Sequence, residues 1–100
     1  MGEYSVKIMN RALQDLDGIY TYIANRLLEP DVALKLIDTI EERILSLEYM
    51  PHRCPERRMG AYGGKGYRQL QVKNYTVIFR INETTKTVIV VTVRYSSSQF

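Results

Sequence analysis

The stretch YRQLQVKNYTVIFRINETTKTVIVVTVRY, residues 67–95, decides the fold because it contains three successive strand patterns. The patterns cover residues 67–73, 75–82 and 86–95, and each is rich in β-branched or aromatic side chains. Asn74 alone separates the first two, and the short stretch ETT precedes the third. Since connections this short join neighbouring antiparallel strands, the stretch predicts an antiparallel meander.

The first half of the chain predicts one further strand and two helices. Residues 4–9 alternate apolar and polar side chains, which indicates a short strand, and Asn10 is a candidate N-cap for the helix that follows. Apolar residues then recur at helical spacing over residues 11–28 and 31–49, with Pro30 and Pro51 at the two ends of the second helix. We therefore predict one α+β domain over residues 1–100, of order β-α-α-β-β-β, in which a helical hairpin packs on a twisted, mainly antiparallel sheet.

Successive side chains of a strand point to opposite faces of the sheet, so each strand divides into two sets. The set predicted to face the helices consists of Tyr75, Val77, Phe79 and Ile81 in the middle strand of the meander and Ile89, Val91, Val93 and Tyr95 in the last strand. The other set is predicted to form an open face, on which cations lie among apolar and hydroxyl side chains: Lys7, Arg68, Leu70, Val72, Thr76, Ile78, Arg80, Val90, Thr92 and Arg94.

Charge is divided unequally between the two halves of the chain. Residues 1–50 contain five Lys or Arg and nine Asp or Glu, whereas residues 51–100 contain nine and two, so the net charges are −4 and +7. The basic half indicates an anionic partner, although basic side chains that only solvate a sheet surface would give the same count. Arginines bind phosphate groups, and apolar residues between them would also suit an amphipathic peptide.

Residues 51–66, PHRCPERRMGAYGGKG, are predicted to form a basic loop because they contain two prolines and four glycines. His52 is the only histidine and Cys54 the only cysteine, and neither has a catalytic partner at motif spacing, so a structural or solvated role is the simpler interpretation. The GKG segment lacks the Ser or Thr of a nucleotide-binding P-loop. Tyr62 and Tyr67 flank the glycines, where stacking on a nucleotide base is the alternative to packing.

Several classes of protein are disfavoured by what the sequence does not contain. No stretch approaches the roughly 18–20 consecutive apolar residues that span a membrane, and the N-terminus has no signal-peptide pattern. A single cysteine allows no disulfide framework and no thiolate metal site. We therefore expect a cytoplasmic protein that needs no cofactor and no metal.

In these stretches the chain resembles the RelE/ParE superfamily of bacterial toxins. The resemblance is carried by RALQDLDGIYTYIA (11–24) in the first helix, ALKLIDTIEERILSLEYMP (33–51) in the second, the sheet stretch from Gly66 to Tyr95, and the order of these elements. Members are the toxin halves of type II toxin–antitoxin pairs, often described as plasmid stabilisation proteins. The resemblance implies a toxin that inhibits growth unless an antitoxin encoded beside it binds.

The superfamily includes two activities. RelE-like members cleave mRNA in the ribosomal A site, a reaction that needs a base, cations for the phosphorane and an acid. ParE-like members inhibit DNA gyrase. For the first activity, the resemblance implies Arg68, Arg80, Arg94 and Tyr95 as the catalytic residues, because Arg68 matches a basic position on the second strand and the Arg94–Tyr95 pair matches the end of the last strand in one nucleolytic subgroup.

Departures from the nucleolytic pattern favour the ParE-like activity. Thr76 stands where many nucleolytic members have an arginine, and Ser96 and Ser97 stand where one subgroup has a histidine and a tyrosine; Phe100 alone echoes another common tail. A serine hydroxyl is a poor acid or base near neutral pH. We predict a non-catalytic inhibitor of gyrase, with a ribosome-dependent endoribonuclease, and a degenerate member that keeps only antitoxin binding, as the alternatives.

The antitoxin is predicted to bind the open face, because it would bury apolar side chains there beside the arginines. The residues predicted to contact it are Lys7, Arg68, Leu70, Ile78, Arg80, Val90 and Arg94.

Overall fold

The computed structural model describes residues 2–98. Its elements are strand β1 (Ser5–Ile8), helix α1 (Asn10–Thr21), a π-helical turn (Tyr22–Arg26), helix α2 (Pro30–Leu45), two 3₁₀ turns (Ser46–Glu48 and Pro51–Arg53), and strands β2 (Arg68–Val72), β3 (Tyr75–Asn82) and β4 (Thr87–Tyr95). The strands form one sheet in the order β1-β4-β3-β2, in which β1 runs parallel to β4 and the other pairs are antiparallel. The predicted α+β fold and its element order are confirmed.

The helix ends differ from the prediction in ways that the chain explains. Met9, in an extended conformation, precedes the first helical residue, and no side chain caps the helix, so the predicted N-cap role of Asn10 is wrong. The π-helical turn continues α1, and Leu28 ends the hairpin connection with a left-handed φ of 56°. Pro30 occupies the first turn of α2, as predicted, but α2 gives way to a 3₁₀ turn after Leu45.

A β-bulge in β4 reverses the predicted faces of half of that strand. Ile78 pairs with Thr92, but Phe79 pairs with Val90, so Val91 is an extra residue without a cross-strand partner in β3. Val90 therefore lies beside Phe79 and is fully buried in the core, and its predicted place on the open face is wrong. Ile89 was predicted to face the helices, but it pairs with Arg80 on the open face.

The side of strand β2 that faces the helices is also the opposite of the predicted one. Leu70 pairs with Val77, and Val72 and Leu70 belong to the main core cluster, so their predicted exposure on the open face is wrong. Arg68 pairs with Phe79 and shares this helix-facing side, which corrects its placement too. The open face of β2 is instead formed by two glutamines, Gln69 and Gln71.

The core lies between the sheet and the helical hairpin. Its largest fully buried side chains include Ile40, Ile44, Leu47 and Phe79, contributed by α2, the turn after it and β3. Burial of side chains of this size contributes about 1.5–3 kcal/mol each, which fixes the hairpin on the sheet.

Part of the open face is covered by the chain itself. Ile78 is fully buried although it points away from the helices. Gln69, its cross-strand neighbour, accepts a hydrogen bond of 3.0 Å from the guanidinium of Arg57, which is 9% exposed. The 56–67 loop therefore folds back over this end of the open face.

Candidate functional site

Three of the predicted open-face cations lie on that face. Arg80 and Lys7 flank Ile89 in one row across β3, β4 and β1, and both are exposed. Arg94 lies two rows away, opposite Thr76. The face is therefore basic, but of its predicted apolar residues only Ile78 points to this side, and Ile78 is inaccessible.

A network of hydroxyl and amide groups occupies one end of the open face. In nucleolytic members of the superfamily, the resemblance implies catalytic groups at these positions. Gln71 donates to Ser96 Oγ at 2.6 Å and accepts from Thr76 Oγ1 at 3.1 Å, and the Thr76 and Ser96 hydroxyls are 2.9 Å apart. Thr76 is buried. The Thr76 and Ser96 hydroxyls are thus hydrogen-bonded to each other and to Gln71. Phe100 lies outside the described residues.

Asp15 closes the exposed edge of β4 and sets the position of Arg94. Because β1 ends at Ile8, the second half of β4 has no strand on its β1 side, and α1 lies there instead. The Asp15 carboxylate accepts hydrogen bonds from the Thr92 hydroxyl and, at 3.0 Å, from the Val93 amide. Arg94 Nε donates to Thr92 Oγ1 at 3.0 Å, so the guanidinium is oriented through this chain of contacts.

Arg94 and Tyr95 point to opposite sides of the sheet. The Tyr95 ring packs edge-to-face on Tyr75, its cross-strand partner, with centroids 5.5 Å apart. Burial raises the pKa of Tyr75, and the neighbouring phenols of Tyr95 and Tyr22 raise it further. Tyr95 is half-exposed. This tyrosine pair lies at the end of the sheet nearest the hairpin connection.

Arg68 holds the turn after α2. Its guanidinium donates to the carbonyl of Cys54 at 2.6 Å and approaches the carbonyl of His52 at 3.4 Å. Cys54 is buried in the core, and burial raises the pKa of its thiol. The structure therefore does not bring Arg68 together with Arg80 and Arg94.

We expect Arg68→Ala to lower the free energy of unfolding by about 1–3 kcal/mol, because the carbonyl of the buried Cys54 loses its charged donor. Urea denaturation of the purified chain measures this. Arg58→Ala, which removes an exposed arginine from the basic loop before β2, is the matched control and should change stability by less than about 0.5 kcal/mol. Equal stability of the two variants would contradict the structural role of Arg68.

An open groove lies between the helical hairpin and the ends of β3 and β4. One part, of about 750 Å³, is lined by Gln14, Asp15, Gly18, Ile19, Tyr22, Ile23, Leu27, Tyr75, Val93, Arg94 and Tyr95. An adjoining part, of about 470 Å³, shares Ile23, Tyr75 and Tyr95 with the first and adds Val32, Lys35, Leu36, Thr39, Lys73 and Asn74. We call these residues together the hairpin groove. It is mainly apolar, with Asp15 and Arg94 near one end and Lys35 and Lys73 near the other.

The sequence did not predict the hairpin groove, although two of its residues, Arg94 and Tyr95, were candidate catalytic residues. Tyr22 and Leu27 fall within the helix predicted over residues 11–28, and each is about half exposed, at 52%. The π-helical turn begins at Tyr22 and Leu27 follows it, so the end of the first helix departs from the regular 3.6-residue repeat. The first helix ends in more apolar residues than its packed face can bury, and this excess was the signal in the sequence that could have indicated the groove.

A second cluster of titratable groups ties three segments together at the opposite end of the sheet. Glu83 accepts a hydrogen bond from the Tyr4 hydroxyl at 2.9 Å, lies 2.5 Å from His52 Nε2, and lies 3.5 Å from Lys86 Nζ. The Tyr4 hydrogen bond, followed by His52, lowers the pKa of Glu83. The contacts join the residue before β1, the turn after α2 and the β3–β4 turn, so we interpret the cluster as a structural clasp.

The clasp predicts a pH-dependent contribution to stability. Because the pKa of Glu83 is lowered on folding, its contribution is present above the ordinary carboxyl value of 4.5 and is lost as the pH falls through the lower folded value. We expect Glu83→Gln to be less stable than the parent chain near neutral pH and the difference to shrink as the pH falls below 4.5. Urea denaturation across this range measures it, and a difference that persists or grows at low pH would contradict the clasp.

Among the described residues, no helix is long and apolar enough to cross a membrane.

Solved structures of toxins share this fold. A chain of the chromosomal ParDE toxin–antitoxin system from P. aeruginosa superposes with a TM-score of 0.77 at 24% identity, over 93% of this chain and 96% of that one. A chain of a RelBE toxin–antitoxin complex from Mycobacterium tuberculosis gives 0.66 at 19% identity, over 98% and 97%. A mutant of the E. coli toxin RelE in the free state gives 0.61 at 11% identity, over 95% and 85%.

No curated protein sequence matches the chain significantly. Residues 6–100, however, match the family described as "ParE toxin of type II toxin-antitoxin system, parDE". This match extends through both helices and all three strands of the meander, and it confirms the resemblance to the RelE/ParE superfamily. The chain therefore belongs to the ParE toxin family of type II toxin–antitoxin systems.

Proposed function

We propose that this toxin arrests growth in the cytoplasm by binding a large target, DNA gyrase, and not by cleaving RNA. The observation that carries the proposal is the separation of the four predicted catalytic residues. Arg68 lies on the helix-facing side and bonds to Cys54, Tyr95 packs on Tyr75, and only Arg80 and Arg94 share the open face.

Cleavage of RNA by its own 2′-hydroxyl needs an acid, a base and cations around one phosphate. Beside Arg94 the chain supplies the hydroxyls of Thr76 and Ser96, which are hydrogen-bonded to each other and to Gln71. The Gln71 amide, which contacts both hydroxyls, does not ionise near neutral pH. This arrangement favours a binding mechanism.

A ribosome-dependent endoribonuclease is the second candidate. Lys7, Arg80 and Arg94 form a basic surface on one face, which would suit a phosphate backbone. A chain that has lost toxicity and only binds antitoxin is the third.

Induced expression without antitoxin separates the three. We expect growth arrest, intact mRNA, altered plasmid supercoiling and DNA breaks. New mRNA 5′ ends within translated codons that vanish in Arg94→Ala, but persist in the surface control Arg58→Ala, would overturn the proposal in favour of RNA cleavage. Normal growth with a soluble, folded chain would leave antitoxin binding as its only function.

We further propose that a cognate antitoxin neutralises the toxin by inserting a segment into the hairpin groove. The P. aeruginosa ParDE and M. tuberculosis RelBE structures come from toxin–antitoxin systems. In this chain the groove offers an apolar floor around Ile23 and the Tyr75–Tyr95 pair, with cations near both ends. A segment with apolar side chains between acidic ones would match that pattern. Its acidic residues would reach Arg94 and, along the open face, Arg80 and Lys7.

A further inference from the structure

A separate cavity of about 500 Å³ lies where β1 passes into α1. It is lined by Lys7, Ile8, Met9, Asn10, Arg11, Tyr62, Tyr67 and Val91, none of which lines the hairpin groove. Cavities of roughly 300–1,000 Å³ hold small organic ligands in proteins. Neither the candidate catalytic residues nor the groove accounts for this cavity.

Two irregularities of the sheet create the cavity. The bulge at Val91 turns this side chain to the cavity instead of into the core, and bulges often re-aim side chains in this way. β1 stops at Ile8, and the Met9 amide makes a last hydrogen bond of 2.9 Å to the Val90 carbonyl before the chain turns into α1. The space beyond the end of β1 is therefore left open.

The glycine-rich loop supplies the opposite wall and is held in one conformation. The Arg57 amide donates to the Tyr67 carbonyl at 2.7 Å, and the Gly64 amide donates to the Arg57 carbonyl at 3.1 Å. Gly64 has a φ of 68°, and a Cβ at Gly63 would lie only 2.7 Å from the Arg58 carbonyl carbon. The glycines thus permit a compact loop, which positions Tyr62 and Tyr67 at the cavity.

The wall charges are all of one sign. Lys7 projects from the open face, and Arg11 is on the first turn of α1; both side chains are exposed. The residues that line the cavity include no carboxylate. Arg11 forms an ion pair with Asp15, but the pair is long at 3.8 Å and its arginine side chain is 59% exposed, so it is weak. An anionic group would be attracted here.

The tyrosines supply an aromatic wall. The Tyr62 and Tyr67 rings meet edge-to-face, with centroids 5.1 Å apart and an interplanar angle of 81°, and both residues are half-buried. In this geometry the face of one ring stays available to a third aromatic group. Bases of any identity stack on such rings, because every base has a π-face.

We propose that this cavity binds a nucleotide, with the base against the Tyr62–Tyr67 pair and the phosphate between Lys7 and Arg11. The pairing of an aromatic wall with two cations in one cavity of this size recognises both halves of the ligand at once. The nucleotide is either free or an unpaired unit of a strand. This site shares only Lys7 with the surface proposed for the antitoxin and does not depend on the target of the toxin, so failure of the growth-arrest proposal would leave it standing.

The test is a calorimetric titration of the purified full chain with AMP, adenosine, inorganic phosphate and a short single-stranded oligoadenylate. We expect saturable binding of AMP, of the oligoadenylate, or of both, with adenosine and phosphate each at least about tenfold weaker. Binding of AMP assigns a free nucleotide, and binding of the oligoadenylate alone assigns a unit of a strand.

Lys7→Gln and Tyr67→Leu should each weaken binding at least about tenfold. Lys35→Gln and Tyr49→Leu remove an exposed lysine and an exposed tyrosine elsewhere and should leave it unchanged. Tyr67→Phe keeps the ring, so it should bind like the parent chain. Lys7→Gln changes an exposed residue and remains the test if Tyr67→Leu fails to fold. The proposal would be overturned if neither AMP nor the oligoadenylate showed saturable binding. Equal losses of binding in Lys7→Gln and Lys35→Gln would also overturn it.

Discussion

We expect Val90→Asp to prevent folding, whereas Val91→Asp, one residue further along β4, leaves the chain folded. Val90 is fully buried beside Phe79 in the core, so the new carboxylate would have neither water nor a cationic partner. The cost of burying an unpaired charge rivals the whole stability of a small domain, about 5–15 kcal/mol. Val91 is only half-buried and borders an open cavity, so an aspartate there can reach water.

Circular dichroism and thermal melting of the two purified variants measure this difference. Val90→Ala is the milder companion: it should still fold but lose about 1–3 kcal/mol of unfolding free energy, because it leaves a cavity beside Phe79. If Val91→Asp unfolded the chain and Val90→Asp did not, β4 would alternate regularly and the bulge would be absent.

Val90 and Val91 show why the sequence predicted the strands of the sheet but not which side chains lie on each face. The short turns and the β-branched runs predicted the strands and their antiparallel pairing correctly. Residues 88–93, however, are apolar at nearly every position, and Ile78 and Val90 are both fully buried on opposite sides. Where both faces of a strand are covered, the alternation of apolar and polar residues disappears, and a one-residue bulge leaves no trace in the sequence.

Arg68 misled the assignment for a different reason. The pattern Gln69-Leu70-Gln71-Val72 alternates clearly, and taken alone it would place Leu70 and Val72 in the core. Arg68 shares their face, and a cation in a strand favours the orientation that points it to solvent. Its guanidinium reaches past the core edge to backbone carbonyls of the turn after α2. Backbone acceptors are not encoded by any residue type, so this contact had no signal in the sequence.

The hairpin groove was invisible for a third reason, because its walls come from segments far apart in the chain. Its residues belong to α1, the π-helical turn, α2, the β2–β3 turn, β3 and β4. Local periodicity predicts which side of one element is apolar. It does not predict that the end of the sheet extends past the hairpin connection and leaves Tyr75 and Tyr95 facing a groove.

If the antitoxin occupies the hairpin groove, Leu27→Asp should weaken its binding at least about thirtyfold, whereas Leu28→Asp should change it less than about threefold. Both leucines are exposed, at 52% and 79%, and they are adjacent, but only Leu27 lines the groove. In Leu27→Asp, the apolar segment of the antitoxin would bury the new carboxylate without a cationic partner. Losses of about 2 kcal/mol or more are typical of such central contacts, and 1.4 kcal/mol corresponds to a factor of ten.

The matched leucines also separate the groove from the open face. Titration of each purified variant with the cognate antitoxin gives the affinities, and co-expression shows whether the antitoxin still restores growth. Arg80→Glu tests the other surface, since Arg80 lies on the open face outside the groove. A large loss for Arg80→Glu with no loss for Leu27→Asp would move the main contact to the open face. Because Leu27 and Leu28 are both solvent-exposed, unfolding would not explain a difference between them, and any selective loss at Leu27 must come from the groove itself.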